Sequence, residues 1–169
     1  MSTPTSAIAA RAWEVLAGVA DPEIPVVSVV DLGIVREVRA EGAALEVTVT
    51  PTYSGCPATQ VIEASIRRAL ANAGLEATVR TSLAPAWTTD WMTSAGREKL
   101  ARFGIAPPGA RLPDAPVRMR FVRTAPAAVA CPHCGGTDTE RLSEFGSTAC
   151  KALYRCRACS EPFDYFKPL

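Results

Sequence analysis

Hydrophobic positions near the start of the chain recur at helical spacing. Ala9, Trp13, Leu16 and Ala20 share one face of a predicted helix over residues 6–20, with Arg11 and Glu14 off it. Asp21-Pro22 closes that helix, because proline disfavours helical dihedrals in the residue before it. The VVSVVDLGIV run that follows suits a strand or extended segment, with a turn at Asp31–Gly33. The period then changes to two. Ile34 to Val38 reads as a strand, Glu41-Gly42 as a hairpin-like turn, and Leu45, Val47 and Val49 alternate with polar residues in a half-buried strand. Helical spacing returns with Ile62, Ile66, Leu70 and Ala73 on one face, Arg67 and Arg68 on the other, and Gly74 as the C-terminal cap. Residues 76–83 alternate again, with Ala77, Val79, Thr81 and Leu83 facing one way. Thr89 or Asp90 is expected to cap a third helix running to Phe103, with Trp91, Ala95, Leu100 and Phe103 as its apolar members.

That order predicts an α+β fold: a small αββαβα domain over residues 1–104. Residues 105–129 hold five prolines and form a connection, broken only by Val117-Arg118-Met119-Arg120-Phe121, which alternates as an edge strand does. Residues 130–169 form a separate module. Five of the six cysteines lie in the last 39 residues, which marks the boundary.

The 169 residues are 48% hydrophobic and 21% charged, a mix that supports a packed core. The net charge of +1, from 18 Lys and Arg against 17 Asp and Glu, gives no basic face for nucleic acid or an anionic membrane. No apolar run reaches the roughly 18–20 residues that span a bilayer. The first helix is interrupted by Arg11 and Glu14, unlike a secretory signal, so a cytoplasmic, reducing location is expected. Cysteines there point to metal or sulfur chemistry, with two disulfides as the alternative.

Cys131 and Cys134 form one C-x2-C pair, Cys156 and Cys159 another, with 21 residues between Cys134 and Cys156. Each pair wraps one edge of a tetrahedral ion and the intervening hairpin joins them, so the tail reads as a four-cysteine zinc ribbon. Gly135 permits a left-handed knuckle, and Ser160 stands at the equivalent place in the second pair. Lys151, Arg155, Arg157 and Lys167 are available to offset the −2 charge of four thiolates on Zn(II). His133 is expected to face solvent and Cys150 to pack inside the ribbon. Four thiolates also suit iron, which leaves a rubredoxin-like electron carrier as an alternative. The single histidine excludes the paired Glu-x-x-His motif of a diiron oxygenase.

Cys56 stands apart, between Gly55 and Pro57, where it is expected to cap the second helix with Pro57 at the first helical position. A helix N-terminus favours a thiolate able to bind a soft metal or attack sulfur; a buried structural cysteine is the other reading. Trp87, Trp91 and Met92 read as core residues.

DPEIPVVSVVDLGIV, PTYSGCPA and LAPAWTTDWM resemble the small domain of iron–sulfur cluster assembly factors of the SufT kind. CPHCG with FGSTACKALYRCRACSEPFDYFKPL resembles the tail of the PaaD family, the accessory proteins of the bacterial phenylacetyl-CoA epoxidase system. The resemblance covers nearly the whole chain. It implies a maturation factor without catalysis of its own, carrying iron or an iron–sulfur cluster transiently, with the iron–sulfur reductase component of the oxygenase as client. It places the reactive cysteine at Cys56, the acidic signature at Asp21 and Glu23, and Thr52 in the same loop motif. A [2Fe–2S] cluster takes four ligands, so one cysteine implies help from a second chain in a homodimer, a client, a small thiol or carboxylates.

Overall fold

The structure, a computed structural model, describes residues 4–41, 44–53, 55, 57–109 and 128–168. The first helix, α1, spans Pro4–Ala17 and buries Ala12 and Leu16. It stops three residues before the expected end. The amides of Gly18 and Val19 turn back to the carbonyls of Val15 and Leu16, which tightens the last turn and leaves Ala20 exposed, bridged to Ser28.

The valine-rich run after Asp21 is a series of tight turns, not a strand. Asp21 and Ser28 satisfy local amides with their side chains, and the amides of Val27, Leu32 and Gly33 bond to nearby carbonyls. Val27, Val29, Leu32 and Ile34 are thereby buried without a ladder.

Strand β1 (Val35–Glu41) pairs antiparallel with β2 (Ala44–Val49), and β2 pairs parallel with β3 (Ala77–Thr81) across the helix α2 (Thr59–Asn72). The sheet order is β1-β2-β3. Leu45, Val47 and Val49 face the core as the alternation predicts, and α2 buries Ile62, Ile66 and Leu70. Gly74 adopts φ +73° and closes α2: its amide bonds to Ala71 O and the Leu75 amide to Leu70 O, two bonds that satisfy the last carbonyls. Only Val79 of β3 is buried, and Leu83 lies past the strand with 56% of its surface exposed, contrary to the expected alternation through residue 83. The Glu41-Gly42 turn and the Val117–Phe121 strand involve positions outside the described residues.

The third helix is divided. A 3-10 turn, Thr89–Trp91, is capped by the Thr88 hydroxyl, which accepts from the Asp90 amide; α3 then runs Ser94–Arg102, capped by Thr93 through the Gly96 amide. The caps are therefore Thr88 and Thr93, not Thr89 or Asp90. Ala95 and Phe103 are exposed, while Gly96 is buried so close to the Asp31 carbonyl that a Cβ there would stand 2.8 Å from its oxygen.

Two compact units divide at Lys99 and Leu100, within α3. In the second, β4 (Ile105–Ala106), β5 (Thr139–Ser143), β6 (Lys151–Cys156) and β7 (Pro162–Phe166) form a sheet of order β4-β7-β6-β5. Its core comprises Ala106, Val129, Cys131, Ala152, Tyr154, Cys156 and Phe163, with Tyr154 stacked on Phe163 and edge-on to Tyr165. No helix among the described residues is long and apolar enough to cross a membrane.

Candidate functional site

The two cysteine pairs occupy matching knuckles. In the first, the Cys131 amide bonds to Gly136 O at 2.9 Å; in the second, the Cys156 amide bonds to Glu161 O at 3.0 Å. Gly135 has φ +75° and Ser160 has φ +66°, so both positions after the pairs take the left-handed conformation. Serine does so despite the steric cost that glycine avoids. The knuckles bring the sulfurs of Cys131, Cys134, Cys156 and Cys159 within 4.8 Å of one another. Cys131 and Cys159 are 3.7 Å apart and Cys134 and Cys156 3.6 Å. Zn–S bonds of about 2.3 Å in a tetrahedron give edges of about 3.8 Å. The arrangement therefore fits a tetrahedral ion, and it is too open for two disulfides, whose sulfurs lie about 2.05 Å apart.

Backbone amides serve these sulfurs. The Cys159 and Ala158 amides draw the Cys156 thiol down to about 7, against burial. The Glu161 amide favours the Cys159 thiolate, but burial and the three neighbouring sulfurs push that thiol up to about 12. Four sulfurs this close ionise together only around a cation.

The expected counter-charges are engaged elsewhere. Lys151, buried, pairs with Asp164 at 3.0 Å. The β5–β6 register sets Glu140 opposite Arg155, and Glu140 accepts from Arg155 Nε at 2.9 Å and from Arg157 Nη2 at 2.8 Å. Lys167 donates to Glu144 O and lies over the Phe145 ring. His133 is exposed and outside the four-sulfur group; Cys150 is buried, its sulfur 3.0 Å from Thr148 Oγ1, also outside it.

In the first unit, Thr52 is half-buried and lines a cleft of about 260 Å³ together with Thr50, Pro51, Tyr53, Leu83, Ala86 and Trp87. Its position follows from the sheet: residues 50–53 leave β2, and residues 83–87 follow β3, its parallel neighbour. Ile34 O accepts from the Thr50 amide at 2.8 Å, and Leu32 O from Trp87 Nε1 at 3.0 Å, which fixes both walls to the turns after Asp21. Trp87 and Met92 are buried and Trp91 is half-buried beneath the Arg36 guanidinium.

Cys56 lies outside the described residues; its neighbours Gly55 and Pro57 are exposed. The expected cap is corrected: Ala58 is the N-cap of α2, with no side-chain cap, because Ala58 already has helical dihedrals and its carbonyl accepts from Ile62. Asp21 is buried, its Oδ1 accepting from the amides of Glu23 at 2.9 Å and Ile24 at 2.8 Å, while the Glu23 side chain is exposed. Neither acid lines the Thr52 cleft.

Sequence reasoning read Asp31 only as a turn residue. It is buried, and its Oδ2 accepts from the Ser28 amide at 2.9 Å and Lys99 Nζ at 2.6 Å, while its own amide donates to Ser28 Oγ. Burial opposes ionisation, but Lys99 and the Ser28 amide and hydroxyl outweigh it and hold the carboxyl below its usual range. The legible signal was Ser28-x-x-Asp31, a reciprocal capping box.

Residues 9–81 match the family described as iron-sulfur cluster assembly protein, and residues 116–167 the PaaD zinc beta ribbon domain. An Escherichia coli (strain K12) protein, named as a candidate 1,2-phenylacetyl-CoA epoxidase subunit, is 49% identical over 156 residues, covering 92% of this chain and 90% of that one. Among solved structures, a Bacillus anthracis domain of unknown function, DUF59, is 28% identical with a TM-score of 0.54, covering 57% of this chain and 93% of that one. The parallel knuckles of the tail, the assembly-type fold before them and a likeness running through nearly the whole length agree, and the chain belongs to the PaaD family of phenylacetyl-CoA epoxidase proteins.

Proposed function

We propose that this chain is an accessory protein of iron–sulfur cluster assembly or transfer that matures the reductase component of a phenylacetyl-CoA epoxidase, without catalysis of its own. The assembly domain, expected over residues 1–104, and the ribbon, expected over 130–169, flank a connection, expected over 105–129, whose ends Ala106 and Val129 pack in the ribbon's core. The observation that carries the reading is the Thr52 cleft, lined by Pro51, Thr52 and Tyr53 in a domain of the iron–sulfur assembly family. Cys131, Cys134, Cys156 and Cys159 hold Zn(II), which supplies folding energy to the ribbon and offers no open coordination position.

Iron or a cluster is the cargo. The Cys56 thiol gives up its proton and bonds to iron; a client thiolate displaces it, and the proton returns. Among the described residues the cleft lining offers hydroxyl and apolar groups but no thiolate, carboxylate or imidazole, so the remaining ligands come from a second copy, the client or a small thiol. Asp21 and Glu23 act by shaping the turns beneath the cleft: Asp21 binds two amides through one carboxylate oxygen.

Anaerobically purified wild-type and Cys56→Ser chains are compared for zinc, iron and sulfide, and the reductase from matching cells for cluster occupancy. One zinc per chain in both, with iron and sulfide only in the wild type, is expected. Unchanged reductase occupancy in Cys56→Ser cells that lack a redundant assembly factor refutes the role of that thiol. A second reading, a subunit or rubredoxin-like electron carrier of the oxygenase, is favoured by the relative's name as a subunit. It requires stoichiometric co-purification with the oxygenase, or a red tail that bleaches on reduction.

A further inference from the structure

The four sulfurs are unequally covered. Cys131 and Cys156 are 2% and 0% exposed, Cys159 is half-buried and Cys134 is exposed. The amide donor to Cys134, Gly136, stands at a long 3.4 Å. Amide donors draw electron density from a thiolate, so an exposed sulfur with a single long donor is the better nucleophile. The four nearby cations do not blunt it, since Lys151, Arg155 and Arg157 face carboxylates and Lys167 a carbonyl and a ring.

Gly136 opens the approach. A Cβ there would stand 3.3 Å from Cys134 Sγ and 3.7 Å from Cys156 Sγ, so the missing methyl leaves space over both sulfurs. Those sulfurs belong to different knuckles and lie 3.6 Å apart. The reachable sulfur thus has a partner from the opposite strand pair already beside it.

We propose that Cys134 is a site of oxidation by peroxides, with Cys156 as its resolving partner, which makes the ribbon a peroxide-sensitive latch. This rests on Zn(II) filling the four-sulfur site. The Cys134 thiolate attacks one peroxide oxygen. The O–O bond breaks, sulfur is oxidised by two electrons to a sulfenic acid, and the other oxygen leaves as water after taking up a proton. The Cys156 thiolate then attacks that sulfur, forming S–S as S–O breaks, and a second proton converts the leaving hydroxide to water. Cys131 and Cys159 alone do not retain the ion, so the ribbon loses both metal and fold.

The test uses the full-length chain, its zinc content measured first as a separate check on the metal reading, and then limiting hydrogen peroxide. Zinc release is followed with a chromophoric chelator, and peptide mass spectrometry, which resolves Cys56 from the ribbon, maps sulfenic acid trapping and disulfides. Trapping at Cys134 about tenfold above Cys159 is expected, with Cys134–Cys156 as the first disulfide and one zinc released per disulfide formed. Gly136→Ala, scored only on chains shown to hold zinc, is expected to slow both steps several-fold, because its Cβ stands 3.3 Å from Cys134 Sγ. A first disulfide at Cys131–Cys134 or Cys131–Cys159 in the wild type overturns the proposal. So does a zinc-loaded Gly136→Ala chain that oxidises at the wild-type rate.

Discussion

Replacing Asp31 tests how the cleft walls are held. Asp31→Ala removes the acceptor for the buried Ser28 amide and the partner of Lys99. A buried donor left unsatisfied costs about 1–3 kcal/mol. The Lys99 side chain is 46% exposed, so its ion pair adds only about 0.2–1 kcal/mol after solvent screening. The total is about 1–4 kcal/mol, and at roughly 4–8 °C per kcal/mol for a domain of this size the first unit should melt roughly 5–30 °C lower. Asp31→Asn keeps an oxygen for the Ser28 amide and loses only the charge, so it should cost no more than about 1 kcal/mol.

The pH dependence separates the two terms. The folded carboxyl titrates below 3.8, its ordinary value. Its ionic contribution is therefore complete above that pH and fades as pH falls through the lower, folded value. Urea melts of wild type, Asp31→Ala and Asp31→Asn at neutral pH and at stepwise lower values measure both. The wild-type advantage over Asp31→Asn should begin to fade below pH 3.8 and be gone below the folded value, while the deficit of Asp31→Ala persists. An Asp31→Ala chain within about 0.5 kcal/mol of wild type would refute the reasoning, because a surface change is worth that much.

Asp164→Ala leaves the buried Lys151 ammonium unpaired and should destabilise the ribbon by about 3–5 kcal/mol, read as a lower denaturant midpoint for loss of tyrosine fluorescence. Ser160→Gly removes the cost of a left-handed side-chain residue, about 1 kcal/mol, and should tighten zinc about fivefold in chelator competition. Stripping zinc from the four-sulfur site should unfold residues 128–168 while hydrogen exchange in α2 and β1–β3 stays slow, since metal binding in such modules is worth about 10–16 kcal/mol.

Much of the fold was legible because it rests on local periodicity. The alternation of Leu45, Val47 and Val49 and the face of Ile62, Ile66 and Leu70 each have one physical solution, and the order of elements follows. The C-x2-C pairs were legible for a similar reason: four soft ligands at knuckle spacing converge on one point. Misplaced features depended on side chains replacing backbone partners. The Val26–Val30 run has strand composition, but Asp31 takes the Ser28 amide while Asp21 and Ser28 take the amides of Ile24 and Asp31 on either side, so it folds as turns. Likewise Thr88 and Thr93 each claim an amide and split one expected helix into two pieces. The counter-charges failed because strand register, invisible in a single sequence, set Glu140 against Arg155.

Ligand number explains why one chain would carry two kinds of sulfur site. At the ribbon, four thiolates converge and two of them are sealed from solvent, so the ion departs only when several bonds break together or the module unfolds. Such a centre holds its metal well and passes it on badly. The Thr52 cleft has the opposite character: its described lining includes Thr50, Thr52 and Tyr53 with apolar walls, and no soft ligand is among those residues. On the proposed role of Cys56, cargo held by a single thiolate would depart on a single ligand exchange, and its lifetime would be set by whatever completes the coordination. A carrier needs that lability.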